Sequence, residues 1–481
     1  MRTRYAVLGM LVLLSIITYM DRICIGVLAK PMKESLGISD AGWGWVISAF
    51  LLAYGLFEIP TGALGDSLGQ RKVLTRIVVW WSAFTMLTGI AHNYYVLVAT
   101  RFFFGAGEAG AYPNASGVIC RWFPVGERGR AQGLVWGASR VGGALTPLVI
   151  APLLTILPWW QAPFLMFGVL GLVWAVVWSR WFTDDPRKHP GMTELELAEI
   201  GLGASKQGPS RAVTGGGSFA NDRNSAAGEI PTGSSSNPYS APATYPYEDP
   251  RGSLAGGATA ADGHKNIPWL ALASAPQLWL IVAMYWFYVF GAIFFMFTLT
   301  TYFIEARGLS KFAATIAVSL AFAMGACGNA VGGWASDYLS KRFGLWVGRS
   351  LVGAASMTIT GLLLLATAFS PGKWPAAVLL VLCFGVMDGM LPASWAICLD
   401  VGKRYAGAVS GAMNTAGQAA GALCMVLYGY FIQWFGNYEY PLVVFAISMF
   451  ISAFFFLLID PTRPLLPETP EPQPAAEPAC V

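Results

Sequence analysis

Residues 99–113 read ATRFFFGAGEAGAYP, and two incompatible readings compete over them. Arg101 and Glu108 sit in an apolar run of the kind that enters lipid, where a charge at the centre of a helix costs about 2.5–3.5 kcal/mol. The same letters contain GAGEAG, Gly105 to Gly110, which fits a dinucleotide-binding fingerprint. That fingerprint needs a strand before it and a βαβ unit around it, and this stretch has neither. The membrane reading stands, and it leaves the question of what holds two charges there.

The rest of the chain agrees. Of its 481 residues 55% are hydrophobic and only 12% charged, and the mean hydropathy is +0.55. Soluble domains carry about 25% charged residues. The net charge of +4 comes with no Lys/Arg block of the kind that binds nucleic acid. The seven cysteines show no CxxC spacing, so neither a metal site nor a disulfide framework is indicated. The basic, then apolar N-terminus is followed by no small-residue cleavage site, which makes it a first membrane helix rather than a removed signal.

A helix needs about 20 apolar residues to cross a bilayer. Twelve runs qualify: 5–28, 42–62, 73–91, 94–119, 131–154, 162–182, 278–303, 312–335, 347–369, 376–398, 407–432 and 440–460. With the N-terminus inside, the short inner segments carry twelve Lys/Arg and the outer loops five, which satisfies the positive-inside bias. Both termini are expected in the cytoplasm. The fold expected is an all-α membrane protein: a six-helix bundle at 1–182, a cytoplasmic linker at 183–277, a second bundle at 278–460 and a tail at 461–481. The Gly/Ser/Ala/Pro-rich stretch 203–266 (TGGGSFANDRNSAAGEIPTGSSSNPYSAP at its centre) is expected to be disordered. MTELELAEI and IPWLALA, at its two ends, are expected to be short interfacial helices.

The loop after the second span, GALGDSLGQRK (Gly62–Lys72), repeats after the eighth as GGWASDYLSKR (Gly332–Arg342). Aligning Asp66 with Asp337 also pairs Gly62 with Gly333 and Arg71 with Arg342. The chain therefore reads as two parallel halves with substrate expected between them near the midplane. An aspartate near a helix end followed by basic residues can latch helices on one side of the membrane. This arrangement resembles the major facilitator superfamily, whose signature G-x3-D-(R/K)-x-G-x-(R/K) is matched by Gly62, Asp66, Gly69 and Arg71, with Ser67 in place of the first basic residue. The resemblance implies a gating role for these residues and for Asp337 and Arg342.

Five charges of the first half are candidates for the interior: Asp21 and Arg22 (ITYMDRICIG), Arg101 and Glu108, and Arg140 (WGASRVGGALTP). Arg101 and Glu108 are seven residues apart, two turns and about 10 Å of rise on one helix face. Gly105, Gly107 and Gly110 allow a neighbouring helix to approach closely. Three cations against two anions suit an anionic substrate held by bidentate Arg–carboxylate contacts. Buried carboxylates whose neighbours change are also suited to carry protons. The reading assigns substrate binding to Arg22, Arg101 and Arg140 and proton coupling to Asp21 and Glu108. The alternative is that these groups only staple spans one, four and five together.

Tyr19-x-Asp21-Arg22, R-x3-G-x-G-E on span four, RWFPVGERGRA, SRVGGALTP, YAGAVSGAMNTAGQ (Tyr405–Gln418) and DDPRKHPG together resemble the anion:cation symporter branch of that superfamily. The resemblance covers nearly the whole chain except the linker. It implies a secondary active transporter of an organic carboxylate (a sugar acid, hexuronate or dicarboxylate-like acid) with a proton, or sodium, as the coupled ion, in the plasma (cell inner) membrane. It also implies polar pocket contacts at Tyr19, Tyr54, Asn414 and Gln418, and a substrate-specific role for Arg140. No cofactor and no catalytic constellation is expected, and a monomer is. An anion or drug exporter, or a transporter-like receptor, stays open as an alternative. Asp388, the acid deep in span ten, has no partner that the sequence can name.

Overall fold

The computed structural model describes residues 2–200 and 269–466; the expected disorder at 203–266 and most of the tail lie outside them. Lipid leaves no free backbone polar group unpunished, so the apolar runs fold as helices. Among the described residues these form twelve rods: α1 (Thr3–Val27), α2 (Asp40–Leu68), α3 (Gln70–Gly89), α4 in two pieces (Tyr94–Glu108 and Ala111–Trp122), α5 (Val125–Ile156), α6 (Ala162–Trp181), α7 (Pro276–Phe297), α8 (Lys311–Phe343), α9 (Val352–Ala368), α10 in two pieces (Lys373–Asp388 and Leu391–Gly402), α11 (Ala406–Phe435) and α12 (Glu439–Leu458). Among the described residues ten helices are long and apolar enough to cross a membrane by composition. The other two rods are α3, which starts on Arg71, Lys72 and Arg76, and the split α4.

The split in α4 has a local cause. Ala109 is extended and Gly110 adopts φ 85°, a left-handed turn natural to glycine. A side chain on Gly110 would also meet Thr61 of α2 at 2.8 Å. The piece that follows starts Ala-Tyr-Pro, with proline in its first turn, where its missing N–H costs nothing.

Packing repeats between the halves. In the first half α1 packs on α5, α2 on α4 and α3 on α6; in the second α7 packs on α11, α8 on α10 and α9 on α12. The halves meet along two seams, α2 against α11 and α5 against α8. At the end away from the chain termini the first seam is very tight. A Cβ on Gly44 would lie 2.3 Å from the carbonyl oxygen of Met425, and one on Gly429 would lie 2.3 Å from that of Asp40. Ser48 also donates to the Ala422 carbonyl at 2.6 Å across this seam.

The other end carries the basic segments. The backbone N–H of Arg71 donates to Asp184 at 2.8 Å, and its guanidinium donates to the Ser179 carbonyl in the last turn of α6. Both expected short helices form, Glu194–Glu199 and Trp269–Ser274. Glu199 ties the first of them to Arg2 (2.6 Å) and Arg4 (2.9 Å).

Candidate functional site

The five candidate charges, Asp21, Arg22, Arg101, Glu108 and Arg140, are all buried, between 0 and 8% exposed. On α1, Arg22 Nε reaches Glu108 Oε1 at 2.5 Å, and its guanidinium lies 4.5 Å from the Tyr54 ring of α2. Arg101 stacks on Phe104 (4.1 Å) and Phe50 (5.1 Å), with Nε and Nη2 unpartnered. A desolvated cation over an aromatic face gains about 2 kcal/mol, part of what its transfer into the bilayer costs. Asp21 faces Thr85, Arg101 and Glu108, and neither of its oxygens has a hydrogen-bond partner. Close helix contact makes this possible: a Cβ on Gly105 would lie 2.3 Å from the Phe50 carbonyl, and one on Gly107 would run into the Trp80 ring.

Arg140 completes the group from the second seam. It meets Asp388 of α10 through one hydrogen bond, Nη2–Oδ1 at 2.9 Å, and a second ion-pair contact, Nε–Oδ2 at 2.5 Å. Its Nη1 is 3.4 Å from the Tyr19 hydroxyl. The Tyr19 ring lies between two guanidiniums, 5.5 Å from that of Arg22 and 5.6 Å from that of Arg140. Asn414 of α11 donates to Glu58 of α2 at 2.5 Å. Gln418 packs where α11 passes Gly55.

Glu108 and Asp388 occupy matching places. Each is the last residue of the first piece of a broken helix, in α4 and in α10. A helix C-terminus repels a carboxylate, so each requires a cation, Arg22 for one and Arg140 for the other. The sequence reading left Asp388 unplaced. Two signals pointed to it: Arg22, Arg101 and Arg140 outnumber Asp21 and Glu108 by one, and Asp388 precedes Pro-Ala-Ser as Glu108 precedes Pro-Asn-Ala-Ser. With Asp388 counted, the three arginines face three of the acids considered, and a fourth buried acid, Glu58, lies near Arg22, so the excess of one cation that the sequence suggested is gone.

The repeated loops are placed as follows. Gly62 lies against Pro113, Gly69 has φ 87° beside Asp184, and Arg71 bonds as described above; the Asp66 side chain lies outside the described residues. Asp337 pairs with Arg349 at 2.8 Å, and Arg349 also reaches Asp400 at 3.2 Å. Arg342 donates to the Tyr338 hydroxyl at 2.9 Å. Arg349 was not singled out from the sequence, because it lies beyond the repeated motif, on the π-helical turn Val347–Leu351.

Residues 11–425 match the profile of the Major Facilitator Superfamily. The chain belongs to this superfamily. It is a multi-pass membrane transporter, not an enzyme. Among its relatives is a probable sulfoacetate transporter, SauU, of Cupriavidus necator, 30% identical over 96% of this chain and 94% of that protein. Another is a probable galactarate/D-glucarate transporter, GudP, of Bacillus subtilis, 27% identical over 98% of this chain and 95% of that protein. Among solved structures, a bacterial homolog of the human lysosomal transporter Spinster superposes with a TM-score of 0.67 at 17% identity, covering 95% of this chain and 96% of that one. That likeness concerns the superfamily fold alone.

Proposed function

We propose that the protein takes up an organic acid anion together with a proton by alternating access, across a bacterial-type inner membrane with both termini in the cytoplasm. One observation carries this reading: the buried guanidiniums of Arg22, Arg101 and Arg140 share one region of the bundle, and Arg101 keeps unpartnered N–H groups there. Buried N–H groups with no acceptor among the described residues are available to an anionic group. The relatives named as transporters of sulfoacetate and of galactarate and glucarate support an organic acid as the cargo.

Proton coupling follows from charge balance. A cluster whose arginines already face at least as many acids has no room for an added anion, because an uncompensated buried charge costs several kcal/mol. A proton delivered to Glu108 offsets the added charge and frees an arginine for the cargo, while one delivered to Asp21 offsets the charge alone. Arg22, now held by Glu108, is the group released. Tyr19, Tyr54, Asn414 and Gln418 supply polar contacts to the cargo. At the basic end, the motif residues Gly62, Asp66, Gly69, Arg71, Asp337 and Arg342 gate the opening. The connection at 183–277 tethers the halves, so deleting 207–262 leaves uptake unchanged.

The test is uptake of radiolabelled sulfoacetate, galactarate and galactonate into proteoliposomes, with and without a pH gradient, acid outside. Accumulation of at least one acid that rises with the gradient is expected. Accumulation that ignores the gradient removes the proton, and accumulation of none removes the organic-acid reading.

A further inference from the structure

Arg140 and Asp388 do not belong to the same half. Arg140 is on α5 of the first half and Asp388 on α10 of the second, 248 residues away, and they form an ion pair with one hydrogen bond and a second close N–O contact. Asp388 is fully buried and Arg140 nearly so. Its surroundings are confined: Gly325 of α8 comes so close that a Cβ there would lie 2.8 Å from Asp388 Oδ2, and the Phe384 ring lies 5.6 Å from the Arg140 guanidinium. The carboxylate thus covers the edge of Arg140 that recognises acids, Nε with Nη2, and leaves only Nη1 to Tyr19.

Tyr19 links this pair to the rest of the site, since its ring touches the Arg22 and Arg140 guanidiniums alike. An acid held at Arg22 and Arg101 by one end extends past Tyr19 and meets Arg140 with the other. A cargo with one acidic group has nothing to offer there, and Arg140 keeps Asp388. A cargo with two acidic groups can displace it.

The geometry points to Asp388 as a built-in competitor for Arg140: its carboxylate occupies the place of the cargo's second acidic group, and that exchange selects acids carrying two negative groups. The inference rests on the organic-acid reading above and adds to it the class of acid and the residue that sets it. Asp388 acts through Arg140 and is a positioning residue.

The test compares two acids on one carbon chain, galactarate with two carboxylates and galactonate with one. Their binding to the purified full-length protein in nanodiscs is followed by calorimetry. Asp388→Asn removes the competitor and keeps Arg140. It is expected to tighten galactarate by roughly tenfold, the worth of one charge-assisted hydrogen bond, with galactonate little changed. The double variant Arg140→Gln/Asp388→Asn leaves no orphaned buried charge and so is expected to fold. It should lose the preference for galactarate altogether. Equal changes for both acids, or a preference that survives in the double variant, would overturn the exchange while leaving organic-acid transport intact. Failure of both acids to bind the unaltered protein while sulfoacetate binds would overturn the exchange as argued for these acids, and failure of all three would overturn the organic-acid reading as well.

Discussion

Arg22 on α1 and Glu108 at the break in α4 are joined at 2.5 Å, and both are buried. This contact answers what holds a glutamate inside an apolar run. Glu108 is at the end of a helical piece whose dipole repels it, and a guanidinium from another helix compensates. The same contact gives a way for the site to respond to a proton, because neutralising Glu108 releases Arg22.

Glu108→Gln leaves Arg22 buried with a neutral partner. Removing one member of a buried pair costs about 3–5 kcal/mol, so the variant is expected to melt at a lower temperature than the unaltered protein. Exchange of labelled acid across the membrane at equal pH should persist, while accumulation driven by a pH gradient is lost. Gradient-driven accumulation that survives in Glu108→Gln would remove Glu108 from the coupling.

Arg101→Lys keeps the charge but not the fork or the flat face that stacks on Phe104. Uptake at low substrate concentration is expected to fall about ten- to a hundredfold, the worth of one or two charge-assisted hydrogen bonds. Initial rates in proteoliposomes check this. Unchanged rates would make Arg101 a structural staple.

Gly429→Ala puts a methyl group 2.3 Å from the Asp40 carbonyl as built, so α2 and α11 must part where the halves are tightest. Overpacking of this kind costs about 1–3 kcal/mol. With a Thr298→Cys reporter, buried at that end, labelling by an impermeant maleimide is expected to rise in the Gly429→Ala background. Equal labelling in both backgrounds would mean that this seam does not close that end.

His189 lies outside the spans, buried, with its ring 4.9 Å from Trp181 and 5.5 Å from Trp122. Burial pushes its pKa below the ordinary value, against a backbone hydrogen bond at Trp181 that raises it. The folded state therefore favours neutral imidazole. Its contribution to stability is complete above the unfolded pKa, about 6.5, and is lost as pH falls from there through the folded value. Hydrogen exchange in residues 183–200 is expected to speed up below about pH 6.5 beyond the chemical effect of pH, and His189→Gln should remove that step. A step that persists in His189→Gln belongs to another group.

Much of this architecture was legible in the sequence because hydropathy alone forces apolar runs into helices. The burial of Arg101 and Glu108 was legible for the same reason, since neither charge tolerates lipid. Pairings between distant segments were not. The bond by which Asn414 donates to Glu58 across the seam is one of them. Asp337 turned to Arg349 because the π-helical turn at Val347–Leu351 brings that residue round, which no repeat of the motif predicts. Arg140 and Asp388 meet only because α5 and α10 come from different halves. Local pattern fixes helices and burial, while the choice of partner depends on how the two halves dock.

The central claim is that the arginines of the first half bind the acidic group of the cargo. It is tested most directly by binding of labelled sulfoacetate, galactarate and galactonate to the purified protein, compared with Arg22→Gln and Arg101→Gln. The account predicts saturable binding of at least one acid to the unaltered protein, and its loss in both variants while they remain folded and membrane-inserted. Binding that persists undiminished in either variant would contradict it.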